Sequence, residues 1–177
     1  MTVRIAAPYD IDALGAFVRA VPEPERAFYK DNGTDDELAQ RWSESDPLRL
    51  ISVRDDGAIR GIIGIRRGQG QSAHVGEIML VVHPAHRRQG VASELVKAAM
   101  VEAMRAGITH IFVEVTANQQ SMIDMFRTLG FTGEALLRGF IKEADGQLVD
   151  LIMLTNRVEE NWAAANAVGL DLDGELE

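Results

Sequence analysis

The sequence predicts an α/β fold: a mixed central sheet of about seven strands with helices on both faces. Three observations carry this. Short apolar runs bounded by turn residues alternate with amphipathic stretches of helical period. The elements follow the order β-α-α-β-β-β-α-β-α-β-β-α along 177 residues. In the middle, a strand, a helix and a strand follow directly, which makes a right-handed crossover if the two strands are parallel neighbours. A chain of this length with 46% hydrophobic residues supports one domain with a substantial core.

The first strand is expected at Val3 to Ala6. Asp10 then opens a helix with Ile11, Leu14, Val18 and Val21 on one face, broken by Pro22-Glu23-Pro24-Glu25. Residues 27–32 are ambiguous. Thr34 and Glu37, three apart, form a capping box for a helix running to about Ser43. Leu48 to Arg54 and Ala58 to Arg66 read as strands joined by the turn Asp55-Asp56-Gly57. Gly68 to Ser72 makes the next turn, and Val75 to Val82 completes an antiparallel meander. The GxG at Gly68 is followed by no helix, so it is not a dinucleotide fingerprint.

Pro84 stops the third strand of the meander, since proline cannot donate to the ladder. A helix follows Gly90, with Leu95, Val96, Ala99, Met100 and Ala103 at helical spacing and Gly107 closing it. His110 to Thr116 is a strand with Ile111, Val113 and Val115 on one face and Phe112 and Glu114 on the other. Asn118 to Leu129 is a helix, closed by Gly130. Phe131 to about Ile141 and Leu148 to Thr155 form a final hairpin around Asp145-Gly146. Arg157 to Val168 reads as a helix that could pack on its own domain or on a partner subunit, as in a homodimer. The domain is expected over 1–157, with 158–177 as a C-terminal helix and acidic tail.

The net charge of −9 argues against nucleic acid as a partner. No apolar run reaches membrane-spanning length, and no signal peptide is expected at the start. The absence of cysteine removes disulfides, thiolate catalysis and cysteine metal sites, and agrees with a cytoplasmic setting. His83 and His86 have an H-x-x-H spacing, but across a proline turn and without an obvious carboxylate ligand, so no metal is expected.

An anionic ligand needs a local basic patch in so acidic a chain, and Arg87-Arg88 supplies one. Strand, basic glycine-containing turn and helix start make a phosphate-binding arrangement. Free N–H groups and the helix dipole favour anions, and Gly90 permits close backbone approach.

These residues resemble the GCN5-related N-acetyltransferase (GNAT) superfamily. Its acyl-CoA loop, Q/R-x-x-G-x-G/A, is matched by Arg87-Arg88-Gln89-Gly90-Val91-Ala92 after a Val-His-Pro lead-in. Asn118 after the next strand and Leu129-Gly130-Phe131 add to the likeness, which covers roughly residues 3–155. The resemblance implies acetyl-CoA as cosubstrate, with N–H groups from about Arg88 to Ala92, and Ser93 nearby, around the pyrophosphate. It also implies that main-chain groups of Val81, Val82 and His83 pair with pantetheine where two central parallel strands splay apart. Asn118, Ser121 and the helix face to Phe126 would border the thiol end.

Transfer to an amine needs a neutral nitrogen, and deprotonating a lysine-like amine at pH 7 costs roughly 3.4 pK units, about 4.6 kcal/mol. A nearby carboxylate can take that proton. Glu77, early on the strand before the loop and in an E-I context similar to relatives with a catalytic glutamate, is the first candidate; Glu114 is the second. Counting back from Leu129-Gly130-Phe131, the place where many relatives have a tyrosine to protonate the leaving thiolate holds Phe126. The expected activity is an N-acetyltransferase acting on a primary amine, small molecule or protein lysine. The alternative is a non-catalytic acyl-CoA-binding or sensing module.

Overall fold

The computed structural model describes residues 2–22, 25, 33–44, 46–143 and 145–158. Seven strands form one sheet in the order β1-β2-β3-β4-β5-β7-β6. They are β1 Thr2–Ile5, β2 Arg49–Val53, β3 Ile59–Arg67, β4 Val75–Val82, β5 His110–Thr116, β6 Thr132–Lys142 and β7 Leu148–Arg157. The β4–β5 pair is parallel and the other neighbours are antiparallel. Four helices are described: α1 Ile11–Ala20, α2 Asp35–Ser43, α3 Val91–Arg105 and α4 Gln120–Thr128.

Helices cover both faces, which is why the central strands read as near-continuous apolar runs. Neighbouring residues enter opposite cores because strand side chains alternate. Leu50, Ile63, Ile78, Ile111 and Val113 join α3 and α4 through Leu95, Val96, Ala99, Ile123 and Phe126. Ile51, Ile62 and Val81 join α1 and α2 through Leu14, Phe17, Val18, Leu38 and Trp42. Burying each such side chain contributes on the order of 1.5–3 kcal/mol.

The local signals explain most boundaries. The Thr34 N–H donates to Glu37 Oε2 at 2.8 Å, and the Glu37 N–H donates to Thr34 Oγ1 at 3.3 Å, closing the capping box at the start of α2. Gly57 takes φ 85° in the β2–β3 turn. Asp10 precedes α1 but does not cap it with its side chain. Its buried carboxylate instead accepts two hydrogen bonds from Arg4, both 2.7 Å, and one from the Ala7 N–H at 2.9 Å. That ties β1 to the entry of α1.

Two expectations change. Arg157 is the last residue of β7, in register with His110 of β5, and does not begin a helix. Val158 follows as a buried helical residue, and the rest of the anticipated helix, with the homodimer contact placed on it and the acidic tail, lies outside the described residues, as does the 27–32 stretch. Second, the outer hairpin is irregular. Between the rungs Leu137↔Leu151 and Ile141↔Val149, Arg138, Gly139 and Phe140 face only Asp150. Gly139 takes φ 57°, and its N–H donates to Asp150 Oδ1 at 2.8 Å, so a side chain replaces the missing ladder bond. Among the described residues, no helix is long and apolar enough to cross a membrane.

Candidate functional site

The parallel strands β4 and β5 share three rungs: Val75↔His110, Gly76↔Ile111 and Glu77↔Phe112. β4 continues to Val82 and β5 to Thr116 with no further rung between them. Each stays supported on its outer side, β4 by β3 as far as Gly61↔Val82 and β5 by β7 as far as Thr116↔Leu151. The opening is therefore a wedge held between two fixed strands.

Main-chain direction within the wedge follows from one bond. The His83 N–H donates to the Arg60 carbonyl at 2.8 Å, toward β3. Main-chain groups alternate sides along a strand, so those of Val81 also point to β3, while those of Leu80 and Val82 point into the wedge. This corrects the expectation for Val81 and His83: their N–H groups face the neighbouring strand, and only Val82 of the anticipated three lines the opening. Leu80 joins it.

The wedge runs toward the basic turn. After β4, Pro84–His86 form a single 3-10 turn. Arg88 then takes φ 56° and Gly90 φ 81°, both left-handed. Such alternation turns successive N–H groups toward one concavity. Gly90 is the N-cap of α3 and makes no side-chain capping bond. The first helical bond is the Glu94 N–H to the Gly90 carbonyl, 3.1 Å, which leaves the N–H groups of Val91, Ala92 and Ser93 ahead of the ladder. This donor set suits a pyrophosphate. Arg87, Arg88, Gln89 and Gly90 are exposed. Gln89 Nε2 donates to the Ala85 carbonyl at 3.1 Å, bracing the turn. Arg87 reaches Glu25 through both guanidinium nitrogens, Nη1 at 3.2 Å from Oε1.

His83 sits where strand becomes turn, its ring 6.1 Å from Phe17 and 5.3 Å from His86. Its Nδ1 accepts from the Ala85 N–H at 3.2 Å, which assigns the proton of the neutral ring to Nε2. Burial, then the neighbouring His86 and Arg87, hold its pKa below the usual histidine value. Among the described residues no group of three or more histidines and carboxylates could hold a metal ion.

Glu77 and Glu114 face the α1/α2 side of the sheet, as alternation with Ile78, Val113 and Val115 requires. Glu77 occupies the last rung before the wedge opens, and its side chain is 12% exposed. Arg66, directly across on β3, donates to its Oε2. Glu114 stands opposite Met153 of β7.

Asn118 lies in the turn beyond β5, not in the helix. Its Oδ1 accepts from Thr116 Oγ1 at 2.6 Å, and its Nδ2 donates to Glu143 Oε1 at 3.1 Å. It therefore links the end of β5 to the outer hairpin at the mouth of the wedge. Ser121 is exposed on α4. Phe126 is fully buried, edge-on to Phe131 with ring centroids 5.0 Å apart. Phe126 therefore packs in the core, on the helix expected to border the thiol end. The sequence reading missed Arg66 and Leu80. The hairpin register pairing residues 66 and 77 was the available signal for the first.

A family model described as the Acetyltransferase (GNAT) family matches residues 16–131, more than half of the chain, and the chain belongs to that family. Streptothricin acetyltransferase of Streptomyces lavendulae is 27% identical over 147 residues, covering 78% of this chain and 77% of that protein. A ribosomal-protein-alanine N-acetyltransferase from Brucella melitensis has the same fold, with a TM-score of 0.74 at 21% identity over 89% of this chain and 99% of the other. So does a phosphinothricin acetyltransferase from Sinorhizobium meliloti solved in complex with acetyl-CoA, with a TM-score of 0.73 at 16% identity over 88% and 86%.

Proposed function

We propose that the protein transfers the acetyl group of acetyl-CoA to a primary amine, with Glu77 as general base. One observation carries this reading: the β4–β5 ladder stops at Glu77 and opens directly toward the uncapped start of α3. A pyrophosphate on the N–H groups of Gly90 to Ser93 sends the pantetheine arm along Leu80 and Val82, toward the carboxylate.

The chemistry needs little more. Glu77 accepts a proton from the acceptor ammonium, and the neutral amine attacks the thioester carbonyl carbon. A main-chain N–H in the wedge stabilises the tetrahedral oxyanion. Collapse breaks the carbon–sulfur bond and releases the thiolate. With a thiol pKa near 8.5, that leaving group can depart and take, through water, the surplus proton that the attacking nitrogen carries in the intermediate, so no protein acid is needed. Asn118, held by Thr116 and Glu143, borders the same mouth.

The test is thiol release from acetyl-CoA against a panel of small amines, amino acids and lysine peptides. Amine-dependent release supports the reading. Burial of Phe126 and the ion pair on Glu77 favour the second reading, a CoA-binding module without catalysis. That protein would bind CoA and release no thiol with any amine.

A further inference from the structure

The first turn of α3 rests in a gap of the sheet. Ser52, Gly61 and Val82 form one row across β2, β3 and β4. The row faces α3, because Leu50, Ile63 and Leu80 of the same parity pack into that core. Its middle member has no side chain, and the helix fills the place. A Cβ on Gly61 would lie 3.0 Å from Leu95 Cδ1, 3.1 Å from Val91 Cγ1 and 3.1 Å from the Val81 carbonyl oxygen. Val91 is the first residue of α3 and Leu95 lies one turn on; they are 1% and 0% exposed.

Stiffness decides which neighbour would yield. The Val81 carbonyl belongs to β4, which β3 holds from Gly76 to Val82. A valine inside a helix has essentially one rotamer. Leu95 is enclosed in a close-packed core. A side chain on residue 61 therefore lifts the start of α3, and with it the N–H groups of Val91, Ala92 and Ser93. The strand beneath keeps its place.

We infer that Gly61 is a positioning residue for the acyl donor. By letting α3 settle onto β3, it sets the spacing between two halves of one binding site. The pyrophosphate donors stand on the helix start, and the main-chain groups of Leu80 and Val82 that take pantetheine stand on β4. This deepens the proposed function and rests on its placement of CoA. A ligand that must reach both elements registers their spacing, because hydrogen bonds weaken steeply with distance and angle, and binding groups must hold their geometry within about 0.5 Å. A ligand confined to one half does not.

The test measures CoA and ADP binding by calorimetry, since ADP carries the pyrophosphate without pantetheine. Gly61→Ala should weaken CoA about fivefold or more, while ADP stays within about twofold of wild type. Val91→Ile adds a methyl from the helix side. It should give the same split, and it carries the test if Gly61→Ala does not fold. Val91→Ala placed on Gly61→Ala reopens the gap and should return CoA affinity to within about twofold of wild type. Unchanged CoA affinity in either folded single variant, equal loss of CoA and ADP, or no recovery in the double variant overturns the inference. Gly90→Val separates it from the reading beneath it. If Gly90→Val weakens CoA and Gly61→Ala does not, the phosphate loop stands and Gly61 has no positioning role. If Gly90→Val leaves CoA affinity unchanged, the phosphate-loop reading fails and the inference with it.

Discussion

Glu77 stands opposite Phe112 in the last rung that joins β4 to β5, so a carboxylate marks the point where the two strands part. The residue is fixed from both sides, by that rung and by Arg66 on β3. Replacing it with glutamine preserves shape and removes the proposed proton acceptor. Glu77→Gln should lower kcat/KM at neutral pH by about 10²-fold or more, with CoA affinity kept within about twofold by calorimetry. Full activity would remove Glu77 from the mechanism.

Gly90→Val tests the donor end. At φ 81° a β-branched residue is strained, although a Cβ there meets nothing within 4 Å. The loop must therefore rearrange, turning the N–H groups away from their concavity. CoA affinity should fall at least about tenfold, or about 1.4 kcal/mol. Unchanged affinity would undo the phosphate-loop assignment.

Two strand glycines should behave differently in denaturant. A Cβ at Gly76 would lie 2.5 Å from Ile65 Cγ2 and 3.3 Å from Ile108 Cγ2, inside a packed core. Gly76→Ala should cost about 1–3 kcal/mol, read from the urea midpoint. Gly64→Ala meets Met79 at ordinary contact distance and should stay within about 0.5 kcal/mol of wild type. Equal costs would mean that the sheet register is wrong.

Acid sensitivity should follow Asp10. Its pKa is lowered, chiefly by the hydrogen bonds from Arg4, with burial opposing and the Ala7 N–H and the Arg4 charge adding to the effect. A lowered carboxyl pKa gives stability that is full above the unfolded value, near 3.9, and is lost as pH falls through the folded one. Asp10→Asn should therefore lose about 1–3 kcal/mol at pH 7, and its stability curve should approach that of wild type as the solution is acidified. A constant gap down to low pH would show that the Arg4 pairing does not carry the effect.

The order of the elements was legible because its signals are local. Thr34 and Glu37 form their capping box, and Asp55-Asp56-Gly57 turns the chain as its composition requires. Side-chain faces were legible too: Glu77, Met79 and Val81 lie on one side of β4. Main-chain direction was not. Whether Leu80 or Val81 turns its N–H into the wedge depends on which neighbour lies on each side of β4, and that is a property of sheet order. Asp10 stands where the helix opens, as its position in the pattern requires, but its carboxylate is drawn to Arg4, which only the packing of β1 brings near. Phe126 sits where the family resemblance leads one to expect a tyrosine, and the fold places it beneath the surface, against Phe131.

The irregular pairing around Gly139 bears on a hazard unrelated to catalysis. β6 is an outermost strand of the sheet, and it exposes Leu136 and Phe140. A straight, apolar outermost strand is a template on which another chain can assemble. Here the extra residues at 138–140 throw the ladder out of step, and the Gly139 N–H is taken up by Asp150. The opposite margin, β1, is four residues long. Both margins of the sheet thus resist edge-to-edge aggregation, one by a break in register and the other by brevity.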